Sequence, residues 1–184
     1  MENQQTKPER QSITEMVLRI YVGRFLRKEL NVEEMIDIFD LVEKAPDGKS
    51  RINILIEKGY ARDVTEQQIN EAIELVEDYP EFLYGHLTKE AKFLYLLNYR
   101  AEQLDKRNLT ERVIGLNDAG FLDPTLNASA MICVFDLIEH NDDGKERINR
   151  LIEEKCVIGL NQQQIEIAIK LLNDYSEIDE QIDS

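Results

Sequence analysis

The sequence predicts an all-α protein made of two tandem multi-helix units joined by a connecting helix. Three observations carry that prediction. The chain repeats itself at one fixed offset of 96 positions. Apolar residues recur at helical spacing behind capping residues. No segment sustains the period-two alternation of a half-buried strand.

The repetition runs without a gap. Met35-Ile36-Asp37-Ile38-Phe39-Asp40-Leu41-Val42-Glu43 returns as Met131-Ile132-Cys133-Val134-Phe135-Asp136-Leu137-Ile138-Glu139. Asp47-Gly48-Lys49-Ser50-Arg51-Ile52-Asn53 returns as Asp143-Gly144-Lys145-Glu146-Arg147-Ile148-Asn149. Gln67-Gln68-Ile69 and Asp78-Tyr79 return as Gln163-Gln164-Ile165 and Asp174-Tyr175. About 31 of about 68 aligned positions are identical, far above chance for an ungapped comparison. The expected organisation is a flexible N-terminus over 1–13, a unit over 14–81, a connector over 82–109, a second unit over 110–177 and an acidic tail over 178–184.

Each element has a local reason. Ile13, Met16, Val17, Ile20 and Tyr21 space out a first amphipathic helix. Its counterpart after Thr110 is expected to be shorter, because Gly115, Gly120 and Pro124 interrupt it. Asn31 and Asn127 stand at N-cap positions, and Glu34 completes a capping box, ahead of Val32, Met35, Ile36, Phe39 and Val42. Asp47-Gly48 reads as a stop, with the glycine supplying a left-handed cap. A short helix carrying Ile52, Leu55 and Ile56 follows. Thr65-Glu66-Gln67-Gln68 and Asn161-Gln162-Gln163-Gln164 open the last helix of each unit, and Pro80 is expected to end the first of these. In the connector a helix is expected at about 89–105, and its run Phe93-Leu94-Tyr95-Leu96-Leu97 is expected to be buried between the units.

Composition narrows the function classes. Of 184 residues, 42% are hydrophobic and 32% charged, enough for a packed core. The net charge is -15. Its distribution is +2 over 1–30, -9 over 31–86, neutral over 87–126 and -8 over 127–184. Such a surface opposes direct nucleic-acid binding, which needs cations to displace counterions, and opposes anionic membranes. Met1 to Arg10 is polar and no run is long enough to span a bilayer, so a soluble cytoplasmic protein is expected.

The motifs argue for structure over chemistry. Placing Gly144 sixth in a calcium loop puts Arg150 at the twelfth position. The other copy puts Ile54 there, so both lack the bidentate glutamate. The Asp-Gly-Lys-x-Arg-Ile-Asn turn is therefore read as fold-determining, with Arg51 pairing with Asp40 or Glu43, and Arg147 with Asp136 or Glu139. His86, His140, Cys133 and Cys156 form no metal-ligand spacing, and the glycines form no phosphate loop. No cofactor, metal or catalytic residue is assigned. The leading expectation is a non-enzymatic protein-interaction module, an inhibitor, immunity or regulatory protein that binds a basic protein. It would exist as a monomeric pseudo-dimer or a homodimer. Its candidate contact residues are Tyr79, Phe82, Tyr84, Asp174, Tyr175 and Glu177. Two alternatives stand beside it. One is an inhibitor that mimics DNA. The other is a ligand-binding or enzymatic helical protein with a pocket between the units.

Overall fold

The computed structural model of the protein describes residues 11–78, 90, 93–94 and 108–175. Among the described residues there are eight complete α-helices and no strand. They are α1 (Ile13–Val22), α2 (Val32–Lys44), α3 (Gly48–Glu57), α4 (Glu66–Leu75), α5 (Leu109–Asp118), α6 (Ala128–Glu139), α7 (Gly144–Glu153) and α8 (Gln162–Leu172). We call α1–α4 the first helix set and α5–α8 the second. Isolated antiparallel bridges join Leu26 to Ala61 and Leu122 to Val157, closing the loop after the first helix onto the loop after the third in each set.

The helices start where short polar side chains can accept the orphan amides of a first turn. Asn31 and Asn127 are the N-caps of α2 and α6, and Thr65 and Asn161 those of α4 and α8. Full capping boxes form at Asn31–Glu34, Thr65–Gln68 and Asn161–Gln164. The apolar stripes face inward: Met16, Val17 and Ile20 of α1, and Met35, Ile38, Phe39 and Val42 of α2, are fully enclosed. So are Val113, Leu116, Met131, Val134, Phe135 and Ile138 in the second set. One expectation is corrected. Helix α5 is no shorter than α1, both having 10 residues. Gly115 stays helical against the side chain of Leu171, Gly120 lies past the helix end with φ 74°, and Pro124 is further on.

The Asp-Gly-Lys-x-Arg turn works differently from its sequence reading. Asp47 and Asp143 are N-caps, accepting from Ser50 and Glu146 at 2.8 Å. Gly48 and Gly144 are the first residues of α3 and α7, not left-handed caps of the helices before them. Glycine is required there by close approach. A Cβ on Gly48 would lie 2.5 Å from the Ile73 carbonyl, and one on Gly144 would run into the Ile169 carbonyl. The arginines are also corrected. Arg51 is buried and donates Nε to the Val42 carbonyl at 2.8 Å, Nη1 to the Val76 carbonyl at 2.7 Å and Nη2 to Asp78 at 3.1 Å. Arg147 meets the equivalent partners, donating Nε to the Ile138 carbonyl at 2.8 Å and Nη1 to both the Leu172 carbonyl at 2.6 Å and Asp174 at 2.9 Å. Each guanidinium pins the ends of two helices at carbonyls that have no partner inside their own helix. Asp40 instead pairs with Lys44, and Asp136 with His140.

The two sets pack through α1 on α6 and through α2 on both α5 and α6. At the centre the Phe39 and Phe135 rings stack with centroids 3.6 Å apart and planes 3° from parallel. Glu33 accepts from Asn117 across the same boundary at 2.7 Å. Glu90, Phe93 and Leu94 are helical, but Phe93 and Leu94 are 61% and 59% exposed, against the expected burial. The space between the sets is already filled by the α2–α6 contact. Tyr95, Leu96, Leu97 and Pro80 lie outside the described residues.

Candidate functional site

The described polar interior centres on two aspartates that follow the last helix of each set. Asp78 holds Arg51. Asp174 holds two guanidiniums, Arg147 at 2.9 Å and Arg112 at 2.8 Å. Arg112 lies in the first turn of α5, and the residue 96 positions earlier is Met16. Burial, followed by the nearby Arg147 charge, pushes the Arg112 pKa down, while Asp174, Glu43 and Glu139 pull it back up. In the first set Gln11 occupies this end of the molecule, donating its backbone amide to the Asp78 carbonyl at 3.0 Å and Nε2 to the Leu75 carbonyl at 2.6 Å.

The candidate contact residues fall in different settings. Asp174 is half-buried and engaged with both arginines. Tyr175, next to it, is 42% exposed. Tyr79, Phe82, Tyr84 and Glu177 lie outside the described residues, as does His86. Exposed carboxylates stand on most outer helix faces. In α4, Glu66, Glu71 and Glu74 are exposed and the helix carries no lysine or arginine. An open depression along α7 is lined by Asp143, Lys145, Glu146, Asn149, Arg150 and Glu153, a mixed-charge surface with no enclosed reaction volume.

Burial raises the pKa of one tyrosine and of both cysteines. Tyr60 donates to Asp37 at 2.5 Å, and burial together with that carboxylate raises its pKa to about 12. The positions 96 further on are Cys156 and Cys133, both free thiols. Burial pushes both thiols up, Cys156 to about 11, so neither is a ready thiolate at neutral pH. Glu34 is held below the usual carboxylate range by the Asn31 amide and by Arg27. Among the described residues no three His, Cys, Asp or Glu side chains converge to hold a metal ion. No described helix is long and apolar enough to cross a membrane. No protein-family model, curated protein or solved structure matches the chain.

Sequence reasoning missed two features. Glu43 and Glu139 cap helices of the opposite set, where the sequence pointed to local pairing with arginine. Arg112 joins Asp174 from outside the repeated pattern. A signal for the first existed: both glutamates recur at the fixed offset inside the most strongly matched stretch. For the second there was none, because Arg112 aligns with Met16.

Proposed function

We propose that the protein is a non-enzymatic interaction module, formed by duplication and fusion of one acidic four-helix unit, which binds a basic protein partner as an inhibitor, immunity or regulatory protein. Support for duplication comes from elements 96 positions apart. Helices α1 and α5, α2 and α6, α3 and α7, and α4 and α8 begin at that spacing, as do the two bridges and the two arginine staples. On this reading the molecule is a pseudo-dimer in one chain, since the same residues make reciprocal contacts across the boundary between sets.

The observation that carries the binding role is the division of labour among charges. The buried ionisable groups, Arg51, Arg147, Asp78 and Arg112, are tied to helix ends or to one another. The carboxylates of the outer faces are directed to solvent in a chain of net charge -15, with α4 as an uninterrupted acidic helix. Such a surface accelerates and selects encounter with a cationic partner.

The test is retention of partners from a native lysate on the immobilised full-length chain, washed in parallel at low and high salt. It is repeated with Glu66→Lys, Glu71→Lys and Glu74→Lys combined. A basic protein held at low salt, released at high salt and lost with the triple variant is the expected result. A partner that resists both salt and charge reversal would overturn charge steering and move attention to Tyr175.

A further inference from the structure

The exposed residues of α3 are Lys49, Asn53, Ile56 and Glu57, and all four recur unchanged and exposed on α7 as Lys145, Asn149, Ile152 and Glu153. Outer faces elsewhere have drifted apart. At the positions exposed on both α4 and α8, only Gln67 is kept, as Gln163; Glu66, Asn70, Glu71 and Glu74 are matched by Gln162, Glu166, Ile167 and Lys170. The retention of Asp47, Gly48 and Arg51 has structural causes: a cap, a close approach and a buried staple. Those causes do not reach Lys49, Asn53, Ile56 or Glu57, which lie on the opposite, solvent side of the same helix.

The pattern on that side runs against the helix that carries it. Spacing of four puts Lys49, Asn53 and Glu57 in one row, with Ile56 alongside. Lys49 lies in the first turn, which has no acid, and Glu57 is the last residue of a final turn that has no base. Each charge therefore sits at the dipole end of its own sign, a placement that weakens a helix standing alone. The N-cap Asp47 and the C-cap Lys58 carry the favourable signs outside them.

An antiparallel copy of the same helix removes the conflict. Reversed about Asn53, Lys49 meets Glu57 of the other copy and Glu57 meets its Lys49, each beside the opposite pole of that helix. The two Asn53 side chains meet at the centre, each with donors and an acceptor to exchange. Asp47 and Lys58 fall opposite Gly59 and Gly48, so no like charges oppose one another. Ile56 comes to lie beside the half-buried Ser50. Charge favours this face as well. In a chain of net charge -15, α3 holds Lys49 and Arg51 against Glu57 alone, so two copies meet there with least repulsion.

We propose that two copies of the chain associate through α3, laid antiparallel about Asn53 on a twofold axis. Helix α7 keeps the row, and Lys145, Asn149 and Glu153 line its open depression. There, however, Glu153 already accepts from Arg150 at 3.3 Å, whereas α3 has Ile54 in place of that arginine. The contact is accordingly assigned to α3, with α7 as the control. This inference stands independently of the binding role proposed above.

The deciding experiment is sedimentation of the full-length chain over roughly a hundredfold range of concentration. The mass should double as concentration rises and stop there, because a twofold contact closes on itself. Lys49→Glu and Glu57→Lys each turn two attractive meetings into repulsive ones, and each should weaken association about tenfold or more. Mixed in equal amounts, these two variants should associate with each other at least as well as the parent does, since one brings two acids and the other two bases. The double variant Lys49→Glu with Glu57→Lys should also restore association. Both single changes suit the helix dipole, so the melting temperature of the monomer should hold or rise, which separates lost association from lost folding. Lys145→Glu should leave the dimer intact. A chain that stays monomeric at every concentration would leave this face to a different protein and overturn the proposal. So would assembly beyond a dimer, single variants that ignore each other when mixed, or a dimer that Lys145→Glu dissociates.

Discussion

Arg51 illustrates how much of this fold rests on single buried polar side chains. It is 1% exposed, yet its planar fork meets two backbone carbonyls and a carboxylate at once. Removing the guanidinium leaves Asp78 as a buried charge without its salt bridge to Arg51, and strips donors from two helix ends. Arg51→Met is therefore expected to lose about 3–5 kcal/mol, measured by urea denaturation. Arg51→Lys should recover part of that loss through the charge alone, since lysine cannot reproduce the fork. A Met variant within 1 kcal/mol of the parent would mean that the helix ends find other partners, roughly as exposed ion pairs do. The arginine itself was legible as structural because it recurs at Arg147. Its partners were not, because Val76 and Asp78 lie more than twenty residues away in sequence and only packing brings them near.

Among the helices, the junction of α3 with α4, and of α7 with α8, decides the geometry. The first residue of one helix presses on a carbonyl of the next, and only glycine leaves room. Gly144 also donates its amide to the Asn173 side chain at 3.0 Å, so the approach is bonded as well as close. Gly144→Ala is expected to cost about 1–3 kcal/mol, because a backbone carbonyl cannot move aside as a side chain can. Gly59→Ala makes the contrast. Gly59 has φ 76° and open space around its Cβ position, so its cost is backbone strain alone, about 1 kcal/mol. Thermal denaturation of the two variants should rank them in that order; the reverse order would show that the junction relaxes. Helix starts were legible because an N-cap acts within four residues, as at Asn31, Thr65 and Asn161. The length of α5 is not legible in the same way, because Gly115 counts against a helix locally while its contact with Leu171 is tertiary.

Across the whole molecule, the Phe39–Phe135 stack and the exchanged glutamate caps join the two helix sets into one core. A single calorimetric unfolding transition is expected for the full chain. Phe39→Ala should lose about 3–5 kcal/mol and broaden or split that transition, because it empties the ring position shared by both sets. Two separate transitions in the unaltered protein would show that the boundary carries little energy.

The amino-acid sequence by itself specifies the helices, their caps, the inward stripes and the acidic balance, because each depends on residues within a turn or two of one another, or on composition alone. The destination of long-range partners came from packing: Arg51 on Asp78, Arg112 on Asp174, Glu43 on α5 and Glu139 on α1. A charged side chain on a helix reveals in sequence only its own neighbours. Which distant amide or carboxylate it meets is set by how the helices cross, and that is a property of the assembled core.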